Sequence, residues 1–520
     1  LSASYDDPQQ QMSMEALEIM YGDASAEALS SVINRSSTLS DADSRKGAVD
    51  ASMDLTYSIP QTSDRLNATM RVKYDTQKEK LWDDYNVTFG DGSISPIRRR
   101  NYIDNSPNHD MNLYGGLSYW AHLGAVDLSL SYLYNFRDRT LDSYAYALDR
   151  LEDMGVFGVL PAGYRSALDA GNSYTSSLTE NRHSIKPSVS YATKLSNGGD
   201  LNVKVAADLG LLHSHYAYMS DGTLYPVKRT SFLATVPSGE ASIRYGIGNR
   251  MKGQNMYVVL YDYTLATTTP NLLHMVDVTD STDPLNIMLG NPDLKNSYAS
   301  THHLGLKLFS GKYPLNEFLD FNYSPVSNAI VRGYTYNGDT GERRIRSYNV
   351  RGTYSAGVTN TFNLQFGRQR QFSLSSITGL NYIHSVDMVG LDSDIPSRSA
   401  VNTRNLSEDL KLDWRIGKQA LGLKGSVTGR HTDSDRDGFA AINATHLNYG
   451  LTCQFLLPAG FGINTDFTFY TRRGYGVREL DTTDAVWNMR ATYTLPKGRW
   501  VFMLDGFDLL HRLSNVHYAI

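Results

Sequence analysis

Residues 405–416 read NLSEDLKLDWRI. In an extended chain Leu406, Leu410, Leu412, Trp414 and Ile416 fall on one side. Ser407, Asp409, Lys411, Asp413 and Arg415 fall on the other, and only Glu408 breaks the apolar side. This is a period of 2, the mark of a strand with one apolar and one wet face, not the 3.6 of a helix. The pattern repeats in DLNVKVAADLGLL (200–212), where Leu201, Val203, Val205, Ala207, Leu209 and Leu211 oppose Asn202, Lys204, Ala206, Asp208 and Gly210. It recurs in FGINTDFTFY (461–470), and in 125–137, where Val126, Leu128, Leu130, Tyr132, Tyr134 and Phe136 share a face.

These strands often reach ten residues, whereas ordinary ones have about five or six. A tilted strand of about ten residues is what crosses an outer membrane. The wet face carries charges, which suits a wide hydrated lumen better than the inside of a packed sandwich. The connections alternate as well. Short links lie at 59–64, 122–125, 196–200, 249–255, 310–316, 367–371, 417–419, 458–460 and 496–498. Between them lie longer polar stretches at about 76–108, 140–181, 219–229, 267–297, 327–343, 389–404, 432–441 and 473–482. This predicts an all-β fold: a transmembrane antiparallel up-and-down β-barrel with short periplasmic turns and long extracellular loops. About 18 strands are visible between residues 48 and 510. Trp120, Trp414 and Trp500 sit near short turns, where a periplasmic aromatic girdle is expected, and Trp82 and Trp487 near long-loop ends. Residues 1–47 and 140–181 are expected to be partly helical extracellular loops, with short helices within 12–34 and 144–170.

Composition sets limits. A chain of 520 residues allows two to four ordinary domains or one large β architecture, and no linker marks a second domain. A formal charge of −5 leaves no basic footprint for nucleic acid. The one cysteine, Cys453, excludes a disulfide framework and a Cys-based zinc site within one chain. No run of about 18 apolar residues predicts a transmembrane helix, and mean hydropathy is −0.37. A barrel that alternates lipid-facing and lumen-facing residues has that same modest mean. The 35 tyrosines and 42 glycines suit long strands with aromatic girdles.

Motifs that could carry chemistry are sparse. DSDRDG (433–438) offers Asp433, Asp435 and Asp437 as a calcium candidate, but Ala444 stands where the loop pattern needs a glutamate. His213 and His215 share a strand face and could chelate a metal, whereas His302 and His303 point to opposite faces. The cluster Arg98–Arg100 reads as a solvated loop that an anion could touch, and GDGS (90–93) as a turn. There is no GxSxG, no HExxH and no paired-carboxylate motif in a plausible setting, so neither an enzyme nor a cofactor is expected.

One stretch points to a family. PLNIMLGNPDLKNS (284–297) leads from a long loop into an alternating strand. It resembles the GNPxLKP signature of TonB-dependent-receptor-type barrels, and most closely the outer-membrane β-barrel family of Bacteroides-like Gram-negative bacteria. The matching residues are Gly290, Asn291, Pro292, Leu294 and Lys295, with Asn296 where the family often has proline. VWNMRATYTLPKGRWVFMLDGFDLL (486–510) is similar to that family's penultimate hairpin. Asn-Pro-Asp is turn chemistry, so the signature is read as a structural register mark, not a binding loop. It hands the chain to a lipid-facing strand near Ser297, with Tyr298, Ser300, His302, Leu304, Leu306 and Leu308 on one face.

The resemblance implies a 22-stranded barrel in the bacterial outer membrane, with an N-terminal plug and a TonB box. Neither is visible here, nor are the first strands and the last one, so the 520 residues are expected to be part of a single barrel domain cut at both ends. It also implies energised uptake of a bulky nutrient such as a metal chelate, glycan or peptide. Partners would be outer-membrane lipid, the TonB system if the full protein carries a plug, a surface lipoprotein, and a ligand no motif identifies. The alternatives are a passive porin-like channel, a structural or adhesive barrel, and a soluble all-β protein.

Overall fold

The structure is a computed structural model that describes residues 10–512, apart from 22–31, 91–93, 197, 249–251, 392, 394, 437–438, 476–480 and 496–499. Its strands form one sheet of 24. The chain runs through β1 (Gln10–Tyr21), β2 (Val32–Ser58), β3 (Arg65–Phe89), β4 (Ile97–Leu123), β5 (Val126–Ala147) and β6 (Tyr174–Lys194). β7 (Asp200–Ala206) and β8 (Asp208–Ser220) are two halves of one crossing, broken at Ala207; both pair with β6 and with β9 (Thr223–Ile247). β10 (Met256–Thr268) leads to a long loop holding β11 (Thr279–Asp280) and β12 (Asn286–Leu289). β13 (Ser297–Phe309) and β14 (Leu315–Ser327) follow, then a hairpin of β15 (Ala329–Tyr336) and β16 (Arg343–Val350) above the wall. The wall resumes with β17 (Thr353–Phe366), β18 (Phe372–Leu391), β19 (Ser397–Ile416) and β20 (Gln419–Ser434). It continues through β21 (Ile442–Leu456), β22 (Phe461–Arg473), β23 (Thr483–Thr494) and β24 (Val501–Gly506).

Neighbouring wall strands are antiparallel, as an up-and-down meander requires. From β2 to β24 the wall makes 18 crossings, the number read from the sequence, and β1 adds one before them. The break at Ala207 keeps both faces in register: Leu209 and Leu211 are exposed and Tyr216 and Tyr218 are buried.

The faces follow the alternation. Leu380, Leu406, Leu410, Leu423 and Leu451 are exposed on the outer face, while Asp409, Lys411, Lys424 and Asp466 stand on the inner one. Ring contacts mark two levels on the outside. Near the short turns Trp414 stacks on Phe372 at 5.8 Å and Phe372 on Phe366 at 5.1 Å. Higher up, Tyr263, His302, Tyr323, Tyr354 and His384 form a chain of ring contacts between 5.1 and 6.3 Å. Ten residues separate Trp414 from Arg404 at the upper level; at about 3.3 Å each and a tilt near 40° they span about 25 Å, the height of a bilayer-facing apolar band.

Three expectations about loops are corrected. Residues 12–34, expected to hold a short helix, contain strand β1 and the start of β2, paired from Gln10↔Ser44 to Tyr21↔Val32. Helix formers such as Met, Glu, Ala and Leu give way once a neighbouring strand offers a ladder. Residues 219–229 are the tip of a tight hairpin, turned by Asp221 (φ 46°) and Gly222 (φ 70°), both in the left-handed region that a two-residue turn demands. Much of 76–108 and 327–343 is also strand, because pairing continues above the band wherever a partner is present. Residues 148–172 are partly helical, in three short 3₁₀ turns. Trp82, read as lying near a long-loop end, is buried beneath that loop.

Candidate functional site

The long-loop end of the wall is where the chain gathers its buried groups. The loop between β10 and β13 does not stand away from the wall but folds into the mouth. Leu272, Met275, Val276 and Leu294 pack on the inward-facing Tyr216 and Tyr218, with Tyr174, Leu178, Tyr225 and Val227 around them. The loop's 3₁₀ turn starts at Asn271, whose side chain accepts the Leu273 amide.

The GNPDLKN segment is the fastening. A Cβ on Gly290 would sit 1.5 Å from the Val276 carbonyl oxygen, so only glycine allows the two backbones to meet. The Asn291 amide donates to the His274 carbonyl at 2.6 Å, and its side chain to the Ser347 carbonyl at 2.8 Å. Asn291 Oδ1 accepts the Asp293 amide, the Asx turn that the sequence forecasts. Pro292, which has no amide hydrogen to satisfy, fills the step between them. Leu294 is buried, and Arg229 donates to its carbonyl and to Asn296 Oδ1, both at 2.7 Å. Lys295 exchanges hydrogen bonds with the Asn349 side chain. β12 lies parallel to β16, and Arg346 Nε donates to the Gly290 carbonyl. The segment therefore ties the mouth loop to β9 and to the β15–β16 hairpin before entering β13. Asn296 serves as an acceptor for Arg229.

Two further segments lean in. Asn101 of β4 donates to the Thr282 carbonyl at 2.9 Å, and the Ser281 amide to Asn172 of the β5–β6 loop at 2.9 Å. Asn34 of β2 donates to the Thr340 carbonyl at the tip of the β15–β16 hairpin at 2.8 Å, joining residues 306 apart in sequence. These three bonds bridge the mouth. Beside them burial holds the Asp83 carboxyl above the usual carboxylate range; the nearby Asp283 charge adds to this, and a hydrogen bond from Ser40 opposes it. Burial and the charges of Asp83, Asp283 and Asp280 likewise push the Tyr85 phenol well up.

That rise has a sign. The folded mouth holds the Asp83 proton more tightly than the unfolded chain, so ionising it costs stability as pH climbs above about 4. Asp83→Asn keeps the acceptor for Ser40 and removes the charge. The variant's mouth should resist protease more than wild type at pH 8 and equally at pH 4; a wild-type advantage at pH 8 would refute the assignment.

Below the mouth the lumen wall is polar and largely self-paired. Lys424 pairs with Asp466, Arg137 with Asp110 and Arg490 with Asp505. His303 stands between two carboxylates, 3.2 Å from Asp262 and 2.9 Å from Asp320. His302 faces outward, as the alternation predicts, with Nδ1 2.9 Å from Tyr261 Oη.

The other sequence candidates disperse. Asp433 is held by Asn402, Arg404 and His431, whereas Asp435 accepts the Ala400 amide and the Ser399 hydroxyl. Asp437 lies outside the described residues. His213 and His215 share the outer face, and His213 bonds Thr230. Among the described residues no group of three or more His, Cys, Asp or Glu side chains is placed to hold a metal ion. Arg98–Arg100, expected in a solvated loop, are strand: Arg99 reaches Asp169, and Arg100 is buried against Asp84. Arg229 and Asn349, which hold the mouth loop, carried no sequence signal, because each serves a partner about 55 or more residues away.

The family model for the outer membrane protein beta-barrel family matches residues 246–515, more than half of the chain. The chain belongs to that family. This β-barrel is accordingly a protein of the bacterial outer membrane, and its apolar band is the lipid-facing surface. A comparison with curated proteins finds no match. Among solved structures, the copper transporter OprC is 9% identical, with 96% of this chain and 75% of that one covered at a TM-score of 0.37. The siderophore receptor PirA from Pseudomonas aeruginosa is 10% identical, with 92% and 79% covered and a TM-score of 0.29. The alcaligin outer membrane receptor FauA from Bordetella pertussis is 11% identical, with 90% and 75% covered and a TM-score of 0.31.

Proposed function

We propose that this barrel is the wall of a TonB-dependent transporter that takes up a bulky nutrient, such as a metal chelate, a glycan or a peptide. The observation that carries the reading is the mouth. A loop of the outer rim folds inward over a polar lumen and is tied to β4 and β9, and the β15–β16 hairpin beside it is tied to β2, which suits selective capture better than free diffusion. On this reading the lumen wall receives a plug in the full-length protein, the TonB system supplies energy, and a surface lipoprotein assists capture. The self-paired charges along the lumen leave a firm polar surface for such a plug without fixing the cargo.

The full-length protein in a planar bilayer should show little steady conductance, and cells carrying it should take up nutrient only with a working TonB system. Large steady conductance, or uptake unchanged when TonB is deleted, refutes the reading in favour of a passive channel.

A further inference from the structure

Four polar side chains interrupt the lipid-facing wall in the middle of its apolar band, and the transport reading makes no use of them. Glu408 of β19, Thr378 of β18 and Asn360 of β17 are direct cross-strand neighbours, one row on the outer face. Ser376 stands one step below Thr378 on the same face. Parity fixes that face. Leu406 and Leu410 flank Glu408, Leu380 lies above Thr378, and Val358 and Phe362 flank Asn360. The row ends at Leu319 on one side and Val427 on the other. Glu408 lies six residues above Trp414 and four below Arg404. At about 3.3 Å per residue and a tilt near 40°, it stands about 15 Å above the lower rings, close to the midplane of a band about 25 Å tall.

An ionisable group at that depth costs stability and marks a place of contact or function. The row satisfies itself only in part. The Ser376 and Thr378 hydroxyls donate to Glu408, one to each carboxylate oxygen. No cation answers the carboxylate. Among the described residues the outer face of β17 to β20 carries no lysine or arginine below Arg404, which pairs with Asp433. Asn360 Oδ1 is buried without a partner. The Asn360 amide nitrogen is the row's remaining donor, but it lies two strands from Glu408 with Thr378 between them. Donor and acceptor thus share one face at a separation of about 10 Å between backbones.

We propose that this row is the contact face of a dimer, in which a second copy of the chain, inserted the same way up, sets its Asn360 against Glu408. The two-fold axis of such a pair runs along the membrane normal, and a contact across it repeats itself in both directions. Placed at Thr378, the axis turns the row end for end. Each Asn360 then comes to the side of the partner subunit's Glu408, and the amide-to-carboxylate bond forms twice. Acyl chains offer no donor to either group. The short side chains of Ser376 and Thr378 let two walls come close, and so does Gly425, beside Leu410, whose Cβ would meet nothing nearer than 4.0 Å.

The test uses the full-length protein in native outer membranes, with Cys453→Ser as background because Cys453 also faces outward. Thr378→Cys, at the axis, should form a disulfide-linked dimer on mild oxidation. Leu130→Cys, on the exposed outer face of β5, should stay monomeric. Energy transfer between labelled copies diluted in lipid vesicles gives the affinity. Glu408→Leu should weaken association by about tenfold or more, since each dimer loses both exchanged bonds. Folding is scored by heat-modifiable gel mobility, and Asn360→Leu, the other half of the exchange, replaces a Glu408→Leu that fails it. A monomeric Thr378→Cys overturns the proposal and leaves the row to lipid. Equal crosslinking at Leu130→Cys overturns it as chance collision. A folded Glu408→Leu that associates like wild type overturns it as well.

Discussion

Arg100→Ala should destabilise the mouth by about 3–5 kcal/mol, the usual cost of leaving one member of a buried ion pair alone. The Arg100 and Asp84 side chains are 8% and 9% exposed and pair directly. Arg100 Nη1 also donates to the Gly155 carbonyl at 2.9 Å, which pins the β5–β6 loop down on the wall. Asp84 Oδ1 already has no partner, so removing the guanidinium strands the whole carboxylate in a buried site beside the Trp82–Tyr102 pair of the same ladder. The readout is protease sensitivity within 148–172, which should rise by a factor of about 100 or more if the loss stays local. Replacing both partners by apolar residues of similar size, as Arg100→Met with Asp84→Leu, should restore most of the protection, because no charge is then left buried. A single variant as resistant as wild type would show that the pair lies in water. A double variant as weak as the single one would show that packing, not charge, holds the loop.

The wall was legible because its information is local. Each strand's period of 2 is set by what lies on either side of that strand, so Leu406 and Asp409 declared their faces without knowledge of their neighbours. Even the break at Glu408 has a local remedy. Its carboxylate points outward among leucines, and the hydroxyls of Ser376 and Thr378 on the next strand donate to it. The Asp221-Gly222 turn was equally local; its dipeptide is a hairpin signal that the surrounding polar residues masked. The mouth was not legible. Gly290 reads as turn chemistry in sequence, but what it demands is contact with Val276, and Arg229 has meaning only beside Leu294 and Asn296. Nor could strand β1 be read ahead of its pairing with β2, since Met, Glu and Ala favour helix until a ladder is offered.

Leu451→Arg should cost about 2–4 kcal/mol of folding stability in lipid, the penalty for a cation on the bilayer face of a barrel near its midplane. Leu451 is 51% exposed on the outer face, paired with Leu423 on one side and Phe467 on the other. No acid stands opposite it on either strand, so an arginine there would have to reach for the interface to stay hydrated. The adjoining residue supplies the control. Thr452 faces the lumen between Gly422 and Asp466, where an arginine would meet water and a carboxylate. Thr452→Arg should therefore cost less than about half as much, although the charge, the strand and the depth are nearly the same. Urea unfolding from lipid vesicles, followed by tryptophan fluorescence, measures both. Equal losses would mean that the two faces see the same solvent, which an outer-membrane wall with a hydrated lumen forbids. A larger loss at Thr452 would invert the faces, and with them every inside and outside position assigned here from Leu406 to Asp466.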